Sequence, residues 1–258
     1  MNKFLKILVG ILSLVALGLG SVFYFTSDMV RTADDFFLAT KNGDIAAAYS
    51  FLSEDFQAST SQSELSTFAQ SNRLTEFQEA NWQNRSVSGG RGEFVGSITT
   101  TSGGVVPISL SLVKGDNSWK IYAIQKPATG LQVESASFQM PSASDQVDLA
   151  RTTMHVFAES VNDRSMKAFF EHTSNLWQKQ TTIEDLDQAF AVFYEFGADL
   201  TVLDNFSPGF DPEPSVDENG ILLLSGYYPT KPTQVHFEQK YVYEGLGWKL
   251  VGFSTNIK

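Results

Sequence analysis

The sequence FLATKNGDIAAAY at residues 37–49 has a counterpart 120 positions later, FAESVNDRSMKAF at residues 157–169. In both stretches an apolar helical pattern breaks at an asparagine and then resumes. A second match lies downstream, where Trp119-Lys-Ile is followed 129 positions later by Trp248-Lys-Leu. Repetition at this spacing predicts two tandem modules of about 100–115 residues, each long enough to build its own core.

Each module is predicted to place helices first and strands afterwards. In the first module, helices over residues 30–42, 44–52 and after Ser61 precede strand-like runs near 80–88, 92–101, 104–114 and 118–125. In the second module, helices near residues 145–161, 164–172 and after Thr182 precede strands near 199–206, 220–229, 233–244 and 248–255. Ser61-x-x-Glu64 has the spacing of a capping box, which marks a helix start. The order of elements predicts an α+β fold with antiparallel sheets.

The first residues predict a membrane anchor. Ile7 to Phe25 is a run of 19 residues without a charge, preceded by Lys3 and Lys6. As a helix it reaches about 28 Å, close to the ~30 Å thickness of the hydrocarbon layer. A cleaved signal peptide shares the basic start, but its apolar region is usually about 7–15 residues long. The length favours an uncleaved single-pass signal anchor, and the positive-inside rule places the rest of the chain outside the cytoplasm.

The predicted organisation has four parts. Residues 1–27 are the signal anchor, 28–126 the first module, 127–143 a linker with Pro and Ser, and 144–258 the second module. The expected location is the cell membrane of a bacterium, with a periplasmic or extracellular ectodomain. The membrane is then a partner of the N-terminal helix.

Composition excludes several classes of chemistry. The chain has no cysteine, which excludes disulfides, thiolate catalysis and cysteine-ligated metals. The formal net charge is −11, and no basic tract interrupts the acidic balance. Nucleic-acid phosphates repel such a surface, so binding to nucleic acid is disfavoured.

The helix pairs broken at Asn42-Gly43 and Asn162-Asp163, with the terminal Trp-Lys strands, resemble a known superfamily. The pattern is similar to the NTF2-like (cystatin-like, SnoaL/ketosteroid-isomerase-like) superfamily, and most to its membrane-anchored bacterial members of unknown function. The resemblance implies two tandem cone modules behind the N-terminal transmembrane helix, each with a curved antiparallel sheet wrapped around its first long helix. Some members are isomerases, dehydratases or hydrolases, and many are non-catalytic, so the resemblance leaves function open.

The residue types needed for catalysis form no recognisable group in the sequence. His155, His172 and His236 lie far apart and form no metal-binding pair. His155 and Glu159 share a helical face, which is typical of a surface pair. Gly89-Gly90-Arg91-Gly92 leads into a strand, which favours a hairpin loop over a phosphate-binding loop. We therefore assign no catalytic residue, no metal ligand and no cofactor.

A ligand pocket, if the chain has one, is predicted in the second module. The matched strands carry different residues: Ile108, Leu110, Leu112 and Lys114 in the first module, and Phe237, Gln239, Tyr241 and Tyr243 in the second. Tyr hydroxyls and a Gln amide need hydrogen-bond partners, which a wet cavity or a ligand would supply. We therefore name the latter four as candidate ligand-binding residues. The alternative is that these aromatics form a bulkier core or line the contact with the first module.

Two functional classes stay open at this point. The first is a non-catalytic ectodomain that binds an envelope protein or a small apolar ligand, favoured by the absence of an acid–base constellation. The alternative is a pocket-containing enzyme of the hydrolase or isomerase type, which only the superfamily resemblance supports.

Overall fold

The structure is a computed structural model that describes residues 26–116, 118–126, 140–197 and 199–257. It is an α+β fold with two separate antiparallel sheets. Helices α1 to α8 span residues 26–41, Ile45–Ser50, Glu54–Ser59, Gln62–Ser71, Ala143–Asn162, Lys167–His172, Asn175–Gln178 and Ile183–Phe196. Strands β1 to β9 span Phe77–Ser88, Arg91–Thr100, Val105–Lys114, Trp119–Gln125, Gly209–Phe210, Ser215–Val216, Leu222–Tyr228, Val235–Glu244 and Gly247–Ile257. Two short 3₁₀ helices span Leu74–Glu76 and Leu200–Asn205.

The predicted membrane anchor requires a correction. Among the described residues, no helix has both the length and the apolar character needed to cross a membrane. The segment for which the span was predicted, Ile7 to Phe25, lies outside the described residues. The fold class is α+β with two antiparallel sheets, and the predicted transmembrane helix, signal anchor and single-pass topology are not supported.

Contacts divide the described residues into two compact units. Among the described residues, the first unit comprises residues 26–53 and 61–126, and the second comprises residues 54–60 and 140–257. The short helix α3 thus belongs to the second unit, although the predicted boundaries place its residues in the first module.

The first unit packs α1 against a sheet whose strands follow the chain order β1-β2-β3-β4. Helix α1 buries Met29 and Phe37, among others. The Phe37 ring lies 5.3 Å from that of Phe77 and 6.4 Å from that of Trp82. Gly89 and Gly90 have φ values of +56° and +78°, which favour glycine and close the β1–β2 hairpin. The hairpin loop predicted for these glycines is confirmed.

The second unit packs α5, α6 and α8 against a five-stranded sheet with the path β5-β7-β8-β9, and β6 pairs with β7. Ser142 and Asp145 cap α5 reciprocally, and Asp163 ends it. Phe157 of α5 is the centre of the aromatic core. Its ring lies 4.8 to 5.5 Å from those of Phe169, Phe190, Phe193 and Phe253.

One predicted element of the second unit takes a different structure. The strand predicted over residues 199–206 is the 3₁₀ helix Leu200–Asn205. The Asp199 side chain accepts hydrogen bonds from the Thr201 amide at 2.9 Å and from the Thr201 hydroxyl at 2.6 Å. This local cap competes with strand pairing and outweighs the strand propensity of the Thr-Val-Leu run.

Candidate functional site: a notch beside helix α5

A notch of about 380 Å³ opens between helices α5 and α6 and strands β8 and β9 of the second unit. Helix α5 contributes Asp145, Asp148, Leu149 and Thr152, α6 contributes Glu171 and His172, β8 contributes Tyr241, and β9 contributes Trp248, Lys249 and Leu250. We call this feature the α5 notch. Its volume is in the range of pockets that hold small molecules.

Behind the α5 notch runs a buried chain of four hydrogen-bonded side chains. The His172 Nε2 atom lies 3.0 Å from the Thr153 hydroxyl, which lies 2.8 Å from the Tyr241 hydroxyl. The Tyr241 hydroxyl lies 2.8 Å from Gln239 Oε1 and 3.1 Å from the Leu149 carbonyl oxygen. Gln239 Nε2 donates to the Ala150 carbonyl oxygen at 3.3 Å. These four hydrogen-bonded side chains connect the wall of the notch with the backbone of α5.

The acceptors at the inner end of this chain determine the direction of every hydrogen bond in it. The Leu149 carbonyl oxygen and Gln239 Oε1 can only accept, so the single Tyr241 proton goes to one of them. Tyr241 must then accept the proton of Thr153, and Thr153 must accept from His172 Nε2–H. His172 is therefore held with its proton on Nε2. When the ring is neutral, Nδ1 carries a lone pair and has no hydrogen-bond partner among the described residues.

Burial and a neighbouring cation keep His172 neutral. Burial of the imidazole lowers the pKa of His172 below its ordinary value of 6.5, and the positive charge of Lys249 lowers it further. Burial also raises the pKa of Tyr241, so its hydroxyl keeps its proton. At neutral pH the inner wall of the α5 notch is thus uncharged.

Charged side chains of both signs line the α5 notch. Asp145 is engaged by the cap at Ser142, and Glu171 lies 4.0 Å from Lys167. Asp148 and Lys249 form no ion pair with each other or with any other residue in the described part of the chain. Leu149, Leu250 and the half-buried Trp248 add apolar surface. The notch therefore offers an unpaired anion, an unpaired cation and an apolar wall.

The four residues predicted to bind a ligand occupy different positions. Tyr241 lines the α5 notch. Gln239 lies behind Tyr241, where it is fully buried and hydrogen-bonded to the Tyr241 hydroxyl. Phe237 packs in the core, with its ring 5.7 Å from that of Tyr228. Tyr243 donates to the Leu246 carbonyl oxygen at 2.9 Å and contacts Trp248. The structure thus brings together only Gln239 and Tyr241.

Sequence reasoning missed Thr153, His172 and Lys249 as parts of one site. Thr153 carried a usable signal, because it is a polar residue in the largely apolar stripe of α5 that includes Ala150, Met154 and Phe157. His172 carried none, since only the fold brings α6 beside β9.

His155 belongs to a surface cluster outside the notch. His155 lies 3.4 Å from Glu159 and 2.7 Å from Asp204 on the exposed surface of α5. The surface pair predicted for His155 and Glu159 is confirmed. Within the ranges that the structure describes, no group of three or more His, Asp or Glu residues has a geometry suited to a metal ion.

Removing the Tyr241 hydroxyl tests how much the buried hydrogen bonds contribute to stability. Tyr241→Phe removes the buried hydroxyl that accepts from Thr153 and donates to Gln239 Oε1 or the Leu149 carbonyl oxygen. We expect the free energy of unfolding to fall by about 1–3 kcal/mol in urea denaturation. Tyr227→Phe is the matched control, because the partly exposed Tyr227 hydroxyl forms no hydrogen bond with the described residues. Equal losses of unfolding free energy in the two variants would contradict a stabilising role for these buried hydrogen bonds.

The lowered pKa of His172 predicts a pH-dependent stability. The unfolded chain takes up a proton near the ordinary pKa of 6.5, whereas folded His172 resists protonation to lower pH. The unfolded state binds more protons in that window, so the free energy of unfolding should fall as pH drops from about 7.5 to about 5.

Comparison of two variants isolates this effect of His172. Asp145, Asp148, Glu171 and Lys249 also line the notch. His172→Gln should flatten the stability profile between about pH 7.5 and 5 in urea titrations. His155→Gln, at an exposed histidine outside the notch, is the control and should keep the slope that His172 causes. An unchanged slope in His172→Gln would contradict the assignment of this pH dependence to His172.

Comparisons with known proteins assign no family to the chain. No protein-family model matches the sequence. No curated protein matches it either. Among solved structures, a cystatin-like protein from Ruminococcus gnavus ATCC 29149 is similar over 92% of this chain and 92% of its own, at 11% identity and a TM-score of 0.33. At that score and identity the likeness carries no argument about the family, membrane anchoring or a tandem arrangement.

Proposed function

We propose that this chain is a non-catalytic binding protein whose second unit holds a small molecule in the α5 notch. The observation that carries the proposal is the neutral His172 ring, held in one orientation by Thr153, with an acceptor left unpaired on Nδ1. A preformed polar group beside apolar surface is typical of small-ligand sites. The ligand completes the hydrogen bonding that the described protein groups leave open.

An enzyme that works by acid–base chemistry is the second candidate, and His172 is the observation that favours it. Such a mechanism needs a proton acceptor and a proton donor on opposite sides of the reacting group. Tyr241, which lines the notch, gives its proton to a buried carbonyl or amide oxygen. Tyr241 is therefore not the proton donor that such a mechanism needs, and binding is the better-supported function.

A screen of small molecules by nuclear magnetic resonance tests the proposal. The panel contains amines, carboxylates, amino acids and neutral alcohols, each added to the full chain. We expect binders to shift the amide signals of Thr152, His172 and Lys249, which line the notch. Shifts confined to other parts of the chain, or no binder at all, would refute the proposal.

A blocking variant provides the matched control for this screen. Thr152 is exposed on α5 and lines the notch, so Thr152→Trp should fill the opening and abolish the shifts. Glu159 is exposed on the same helix outside the notch, and Glu159→Trp should leave binding unchanged. Binding that survives in Thr152→Trp places the ligand elsewhere and contradicts the proposed site.

A further inference from the structure

The proposed function leaves the chemical class of the ligand open, and the polar groups of the α5 notch narrow it. The direction of the buried hydrogen bonds leaves His172 Nδ1 as an acceptor, so the group placed against it must be a donor. The choice of donor is then between a hydroxyl and an ammonium group. Asp148 lines the same notch without an ion pair among the described residues, which favours the ammonium group.

Lys249 excludes a simple amine as the best ligand. Its charge lies close enough to His172 to contribute to the lowered pKa of that ring. An ammonium group bound to His172 would therefore meet a second cation unless the ligand also carried an anion. Because Lys249 is not engaged in an ion pair within the described residues, a carboxylate on the ligand would find a partner there.

The apolar wall of the notch indicates the uncharged part of the ligand. Leu149, Trp248 and Leu250 line the notch together with the charged groups. A volume of about 380 Å³ accommodates a molecule with a short aliphatic or aromatic side chain. The polar groups and the apolar wall thus describe a compact ligand with two opposite charges and one apolar arm.

We infer that the α5 notch binds a small zwitterion of the amino-acid type, with its ammonium group at His172 Nδ1 and Asp148 and its carboxylate at Lys249. The inference rests on the proposed function and specifies its ligand class. The apolar side chain of the ligand packs on Trp248 and the two leucines. Each charged group of the ligand supplies an ion-pair partner that the described protein residues do not provide.

Three related probes test which parts of the ligand matter. L-leucine carries both charges, isopentylamine is the same molecule without the carboxylate, and isocaproate is the same molecule without the ammonium group. Calorimetric titration of the full chain should show L-leucine binding about tenfold or more tightly than either analogue, the effect expected of one charged hydrogen bond. Equal binding of L-leucine and isopentylamine, or of L-leucine and isocaproate, would overturn the inference.

Charge-neutral variants assign each end of the ligand. Lys249→Gln should weaken L-leucine about tenfold without weakening isopentylamine, whereas Asp148→Asn should weaken L-leucine without weakening isocaproate. Lys240→Gln and Glu238→Gln are the controls for net charge, because these two residues pair with each other at 3.0 Å and lie outside the notch. Equal weakening by the controls would show nonspecific charge attraction and overturn the assignment.

The two proposals fail in distinguishable ways. If another compound of the panel shifts the notch signals and L-leucine does not, the zwitterion inference is wrong and the binding function stands. If no compound shifts those signals, the proposed function is wrong and the inference falls with it.

Discussion

Gly226→Ala should destabilise the second unit by at least about 3 kcal/mol, because overpacking against backbone leaves no flexible side chain to move aside. Gly226 lies in β7 opposite Phe210 of β5. A Cβ at this position would overlap the Gly209 carbonyl oxygen and approach the Phe210 Cα at 3.0 Å. The β5–β7 pairing would have to open. Urea denaturation monitored by circular dichroism measures the loss.

Gly247→Ala is the matched control for this substitution. Gly247 also lies in a strand of the same sheet, and a Cβ there would meet no atom within 4 Å. The control should change the free energy of unfolding by less than about 0.5 kcal/mol. If Gly226→Ala were as mild as Gly247→Ala, the close approach of β5 to β7 would be wrong.

The regular elements could be predicted from the sequence because their signals are local. Alternation of Val106, Ile108, Leu110 and Leu112 predicted a strand over 104–114, and the structure has Val105–Lys114. The capping box at Ser61 and Glu64 is present as predicted, with the helix beginning at Gln62. Both patterns depend on neighbouring residues alone, so no knowledge of the tertiary fold was needed.

The site could be predicted only in part, because its hydrogen bonds join distant segments. Tyr241 and Gln239 were identified from the polar and aromatic character of one strand. Their partners on α5, Thr153 and the Leu149 carbonyl, lie 88 and 92 positions from Tyr241 in the chain. Sequence spacing predicts which residues share a strand face, but it does not predict which helix covers that face. The direction of the hydrogen bonds follows from which donors and acceptors lie within reach of one another, and only the structure shows that.

Helix α3 presents a third case, since its own residues do not indicate which unit it joins. The Asn175 side chain donates to the Asp55 carbonyl oxygen at 3.2 Å and to the buried carboxylate of Glu244 at 2.9 Å. A Cβ on Gly245 would approach Thr60 Oγ1 at 2.8 Å and the Phe56 ring at 3.0 Å, so the hairpin between β8 and β9 packs directly on this segment. Residues 54–60 therefore complete a surface made by residues more than a hundred positions away.

Phe56→Ala should accordingly destabilise the second unit and not the unit that surrounds it in the sequence. Phe56 is fully buried, and truncation of a buried phenylalanine typically costs about 3–5 kcal/mol. Hydrogen exchange in the full chain should accelerate at Tyr243 and Leu250, the strand amides beside the hairpin. Phe94→Ala is the matched control, since Phe94 is equally buried in β2 and should instead accelerate exchange in the first sheet. Faster exchange in β2 and β3 of Phe56→Ala, with β8 and β9 unaffected, would place the segment in the first unit instead.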